Sequence, residues 1–341
     1  MAKKQPESCD FQTELKRLRA EGPGRLYFIY GPEDYLSSYY LDSLRSLCLP
    51  DGDDGFSYKR FDGPDISLVS LQEAVDAIPF LSERIFVELR NIDVNKLTEP
   101  DNYIELLKSI PDYCTVVFSQ DFLYSPDSRL KFVKFLKTEG ISLCFDRQND
   151  DALVRWIRKR FAVHGKNISD DACRRLMFIS GSLMNRLIPE IDKISGYAAG
   201  DTVSISDIDS AASRIPEADA FQLISLISRR KNSDAARLLS EILSNKDNEP
   251  IAMLGMLSYQ LRRTYGVKLV LGSGGGYNEV SSLLNIGWRK AVDESMEMAK
   301  GFSASDIRKY ILACAKYDYK MKSSSSDDNE LLKELVISFF R

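Results

Sequence analysis

Leu26-Tyr27-Phe28-Ile29-Tyr30-Gly31-Pro32-Glu33-Asp34-Tyr35-Leu36 carries five apolar residues into a Gly-Pro turn and then into helical spacing. Such a run, closed by turn residues, reads as a strand buried on both faces, and strands alternating with helices build a parallel sheet. Working outward, Arg84–Leu89, Thr115–Phe118 and Ser142–Phe145 read as further buried strands, and Phe56–Phe61 as a more polar one. Helices are expected between them, over Asp34–Leu47, Ser67–Ile78, Thr98–Ser109 and Asp127–Lys137. Beyond residue 149 the strand signals stop, and helices are expected over 151–163, 169–180, 183–198, 218–244, 248–271, 287–300, 303–322 and 327–340.

The turn at Gly31 stands where a P-loop nucleotidase carries G-x-x-x-x-G-K-[ST], whose N–H groups, Lys and Ser/Thr hold phosphates and magnesium. Here the turn is too short, Pro32 lacks an N–H, and no Lys or Ser/Thr closes the motif. Glu33 and Asp34 place negative side chains at a helix N-terminus, where they suit the helix dipole and repel an anion. Gly31, Pro32 and Glu33 therefore read as a degenerate phosphate turn, built to stay empty. Gly165-Lys166 has Arg160 where the upstream Gly belongs, and the strand ending Arg90-Asn91-Ile92-Asp93 lacks the adjacent Asp-Glu pair that positions magnesium and water. Gly272-Ser273-Gly274-Gly275-Gly276 follows a helix and reads as a flexible helix–helix loop.

Composition narrows the classes further. With 46 Lys+Arg against 50 Asp+Glu, the 341-residue chain has a net charge of −4, which excludes a basic shell coating nucleic acid. No apolar run approaches the roughly 20 residues that span a bilayer, and no apolar segment follows the N-terminus, so the cytoplasm is the expected compartment. Six scattered Cys without a C-x-x-C pair predict free thiols, not a disulfide frame or zinc site. The one His, His164, has no second His or nearby Cys, so neither a metal site nor a catalytic triad is expected, and no cofactor. Asp51-Gly52-Asp53-Asp54-Gly55 lacks the ligand spacing of a calcium loop.

Polar Asp146–Asp151 and the Pro216 stop divide the chain into an α/β domain (1–148), a small helical domain (149–215) and a larger helical one (216–341), an α/β plus all-α protein. Several ordered segments carry a resemblance: Gly31-x-Glu33; Ile78-Pro79-Phe80-Leu81-Ser82-Glu83-Arg84; Asp127-x-Arg129-x-x-x-x-Lys134; Leu153-x-x-Trp156-Ile157. Glu190-Ile191-Asp192-Lys193-Ile194, Ile205-x-x-x-Asp209, Ala220-Phe221 and Tyr317-Asp318-x-x-x-Lys322 continue it. In this order the chain resembles the delta-subunit family of the bacterial DNA polymerase III clamp loader. That resemblance implies an AAA+-like parallel-sheet domain without an ATP site, a lid-like helical domain and a C-terminal helical collar. It further implies a subunit that binds and opens the sliding clamp while sister subunits, met through the collar, hydrolyse ATP.

Phe80 and Leu81 are the positions that the resemblance assigns to an apolar wedge entering the clamp. The residues themselves leave two readings. Leu68, Leu71, Val75 and Ile78 recur near helical spacing and face the sheet, Pro79 stops the helix, and two adjacent large side chains on a short connection cannot easily both enter the core; capping the core is the alternative. Arg155, Arg158, Lys159 and Arg160 around Trp156 fit either a DNA contact or a solvated helix face. Asp127-Ser128-Arg129 is similar to an arginine-finger motif, but Leu130 replaces its Cys, leaving Arg129 as a surface helix residue. The rival class is a helical nucleic-acid-binding or scaffold protein on a decayed AAA+ fold.

Overall fold

The computed structural model describes residues 9–52, 55–80, 82–121, 124–245, 249–323 and 326–340. Its first helix, α1 (Phe11–Glu21), escaped the sequence reading; Asp10 caps it by accepting the Thr13 N–H. The alternation then runs β1 (Leu26–Tyr30), α2 (Asp34–Cys48), β2 (Tyr58–Asp62), α3 (Leu68–Val75), β3 (Ile85–Arg90), α4 (Pro100–Lys108), β4 (Cys114–Ser119), α5 (Lys131–Glu139) and β5 (Ile141–Cys144). One sheet results, in the order β2-β3-β4-β1-β5, with every pair parallel.

β1 lies between β4 and β5 and is buried throughout, which explains its uniformly apolar sequence. Leu26, Phe28 and Tyr30 share a core with Leu71, Leu107 and Phe132 of α3, α4 and α5. Tyr27 points the other way, its ring 6.4 Å from that of Tyr40 on α2. β2 pairs only with β3, and its polar sequence suits an edge strand.

Two helices are shorter than their periodicity predicts. α3 stops at Val75, with Asp76 as its C-cap, so Ile78 leaves the apolar stripe and turns outward. α5 starts only at Lys131, because the Asp127 carboxylate accepts from both the backbone N–H and the guanidinium of Arg129 and folds that segment into a turn. Arg129 is thus an exposed turn residue, not a helical one.

The remainder contains α6 (Asp150–Val163), α7 (Asp170–Ser180), α8 (Met184–Tyr197), α9 (Ile205–Ala211), α10 (Pro216–Ser228), α11 (Asn232–Ser244), α12 (Pro250–Gly272), α13 (Tyr277–Leu284), α14 (Arg289–Lys300), α15 (Ala304–Ser323) and α16 (Asp328–Ser338). The helices α9 and α13 were not expected. Nor was a two-residue parallel ladder, β6 (Asn167–Ile168) with β7 (Thr202–Val203), which is too short to show a period of two. The single helix expected over 218–244 breaks at Arg229-Arg230-Lys231, where Arg230 takes φ 59°. Gly301 abuts that break so closely that an added Cβ would lie 2.4 Å from the Ser228 carbonyl oxygen. Leu223, Leu257, Leu261, Leu332, Leu335 and Phe339 centre the helical core.

By contacts the chain divides into two compact units, 1–155 with 182–188 and 156–181 with 189–341. Among the described residues no helix is long and apolar enough to cross a membrane. None of the six cysteines is in a disulfide; Cys9 is half-buried and the others are buried. Replacing Gly301 with Ala is expected to destabilise the protein by about 1–3 kcal/mol, because the carbonyl it would strike belongs to a helix end that cannot easily retreat. Urea denaturation measures the loss.

Candidate functional site

The turn after β1 is pressed onto the chain leaving β5. The Glu33 N–H donates to the Phe145 carbonyl at 3.1 Å, and the Phe145 N–H to the Tyr30 carbonyl at 2.9 Å. Gly31 adopts φ 131°, and a Cβ there would lie 2.3 Å from the Phe145 oxygen, so only glycine fits. Glu33 is the N-cap of α2 yet makes no side-chain capping bond. Its side chain is turned inward and wholly buried, not spread over the surface end of the helix as the sequence reading has it. Oε1 accepts the Met184 N–H at 3.3 Å, and Oε2 has no partner. Burial, reinforced by nearby Asp34 and opposed by the Met184 N–H and Arg147, lifts the carboxyl from its ordinary range to about 7.

The connection from α3 to β3 is held at both ends. The Asp76 N–H donates to the Gln72 carbonyl at 2.8 Å. On the far side Ser82 Oγ donates to the Arg84 carbonyl at 2.8 Å and lies 2.6 Å from Ser57 Oγ, while the Arg84 guanidinium donates to Thr115 Oγ1 at 3.3 Å. Between these anchors Phe80 is 85% exposed and Ile78 81% exposed. Large apolar side chains this exposed and this close together are a marker of an interaction surface. Leu81 lies outside the described residues. Ile78 was assigned inward by extending helical periodicity; Pro79 was the available signal against it, since the residue before proline is pushed out of helical geometry.

Two of the four basic residues of α6 contact other side chains of the protein. Arg158 pairs with Asp170 at 3.1 Å, and Arg160 lies over the Trp156 ring at 5.8 Å. Arg155 and Lys159 are exposed. Lys166, of the Gly-Lys pair, donates to the Ala198 and Gly200 carbonyls at 2.8 Å each. His164 Nε2 sits 2.9 Å from Asp192 Oδ1. Asp53 and Asp54 of the acidic cluster lie outside the described residues, and among the described residues no His/Cys/Asp/Glu group could hold a metal.

Comparison with known proteins agrees with this architecture. Residues 27–145 match the profile of the family "DNA polymerase III, delta subunit", and residues 217–339 that of "DNA polymerase III delta subunit, C-terminal domain". The two matches span more than two thirds of the chain. The DNA polymerase III subunit delta of Bacillus subtilis is 22% identical over 324 residues, 93% of each chain. A probable DNA polymerase III subunit delta of Aquifex aeolicus is 19% identical over 342 residues, covering 97% of this chain and 96% of that one. The solved Bacillus subtilis DNA clamp loader delta protein shares the fold, with a TM-score of 0.56 at 21% identity over 97% of this chain and 99% of that one.

Glu33 gives the stability a defined pH dependence. A carboxyl whose pKa is raised by folding, here from 4.5 to about 7, contributes fully below the lower value and loses its contribution as pH rises through the upper one. Glu33→Gln, uncharged throughout, is expected to remove this slope. The wild type should lose about 2–3 kcal/mol relative to E33Q between pH 5 and pH 8, read by urea denaturation across that range.

Proposed function

The chain belongs to the DNA polymerase III delta subunit family, and from that premise we propose that it is the clamp-loader subunit that binds the sliding clamp and opens it for loading onto primed DNA, without hydrolysing ATP itself. The observation that carries this reading is the exposure of Phe80 and Ile78 on a turn anchored at both ends. Phe80 and Leu81 are assigned as the apolar wedge, with exposed Ile78 beside Phe80, and burying such large side chains in a clamp pocket is worth on the order of 2–3 kcal/mol each.

Opening then requires no bond chemistry. If the pocket accepts the wedge better in the opened ring than in the closed one, binding shifts the ring population by that difference in affinity. Converting a 1:99 equilibrium to 99:1 takes about 5.5 kcal/mol, on the scale of two fully buried large apolar side chains. Within this reading residues 1–148 form the AAA+-like clamp-binding domain, 149–215 the lid-like domain and 216–341 the collar that joins sister ATPase subunits. The degenerate turn at Gly31, Pro32 and Glu33 leaves hydrolysis to those partners. The protein works in the cytoplasm, and any DNA contact through Arg155, Arg158, Lys159 and Arg160 arises inside the assembled loader.

Phe80→Ala with Leu81→Ala is expected to weaken binding to the sliding clamp of the same source by about 100-fold or more, with Ile78→Ala adding to the loss. The exposed Ile78 and Phe80 changes should leave the thermal midpoint almost unmoved. Unchanged clamp affinity in the folded double variant would sink the reading. ATP titrated into the isolated chain with magnesium should give no saturable signal by calorimetry.

A further inference from the structure

Glu33 is an ionisable side chain in a place where charge is disfavoured, and the clamp reading gives it no task. It is fully buried. It caps α2 in sequence but makes no capping bond with its side chain. Its Oε1 accepts from the Met184 N–H at the start of α8, 151 residues along the chain, and Oε2 has no partner. Folds that hold phosphate on the turn after a first parallel strand place the anion at the N-terminus of the following helix, against exposed N–H groups. Here that turn is closed against Phe145 and carries a carboxyl group of the chain itself.

We infer that the Glu33 carboxyl is a built-in substitute for a bound phosphate, tying residues 182–188 to the β1–α2 turn through the Met184 N–H so that the segment is positioned without a nucleotide. An acceptor oxygen at the N-terminus of α2, facing a backbone donor of α8, does what an anionic ligand would do at the same spot, but it is covalently attached and never dissociates. Besides Met184, the groups facing this carboxyl are Asp34 and the Tyr35 backbone N–H from α2 and Arg147 from the segment after β5; Asp34 disfavours its negative charge, while the Tyr35 N–H and Arg147 favour it. Residues 182–188 group by contacts with the α/β unit, although they follow a helix that groups with the other. The Met184–Glu33 bond lies within that grouping. The inference rests on reading the turn as nucleotide-free, and is independent of whether Phe80 meets a clamp.

Hydrogen–deuterium exchange on the full chain, at fixed pH and temperature, tests it. Glu33→Ala is expected to speed exchange over 182–188 by about tenfold or more while β1, β3 and β4 stay protected, the signature of a local opening. Glu33→Asp, one methylene shorter and therefore out of reach of Met184, should give a smaller rise in the same segment and serves where the Ala variant does not fold. Glu33→Gln, whose amide oxygen accepts the same N–H, should remain close to wild type. Unchanged exchange over 182–188 in the Ala and Asp variants overturns the inference. So does a rise spread evenly over the sheet, or a Gln variant as open as the Ala variant. Because no clamp is present, a negative result here leaves the wedge reading standing, and loss of the wedge reading leaves this measurement unaffected.

Discussion

β1 is hydrogen-bonded on both sides, to β4 and to β5, and covered on both faces. The rest of the α/β unit depends on that doubly enclosed position. A strand so placed must be apolar throughout, and its exit must turn tightly because β5 and the chain beyond it occupy the space alongside. The 2.3 Å approach of a notional Gly31 Cβ to Phe145 expresses this crowding. A roomy phosphate cradle and a close turn of this kind are mutually exclusive. The backbone packing at Gly31 thus leaves no room for such a cradle, in addition to the missing Lys and Ser/Thr.

The same enclosure distributes what remains free. β3 is buried through Leu89, and α3 spends Leu71, Ala74 and Val75 on the sheet. The short segment joining them has nowhere left to bury Phe80 or Ile78. Their exposure follows from saturation of the core beneath them. Asp76 and Ser82, on either side of Ile78 and Phe80, are each hydrogen-bonded.

Much of the fold was legible because its signals are local. Five strands and most helices announce themselves by runs, periods and turn residues, and the tight Gly-Pro turn after β1 is readable from three residues. What escaped was non-local or too short. The ladder of Asn167–Ile168 with Thr202–Val203 carries no period, and the break at Arg230 is fixed by Gly301, which arrives from 71 residues away. Ile78 was misassigned because helical spacing continues past the point where Asp76 caps α3 and Pro79 forbids another turn. The inward turn of Glu33 was illegible for a stronger reason: a Glu at a helix start looks the same in sequence whether it faces water or a backbone amide far along the chain.

The cysteines, noted above only for lacking disulfides, give the surface a distinct chemical character. Burial pushes Cys114, Cys173 and Cys314 up to about 12 and Cys144 to about 11, so at neutral pH they hold almost no thiolate and are shielded from reagents. Cys48 is raised for the same reason. Nucleophilic sulfur is thus nearly absent from the exterior. A thiol introduced at an exposed position such as 80 would stand out against this background, which makes the native chain a host for site-selective labelling once half-buried Cys9 alone is replaced.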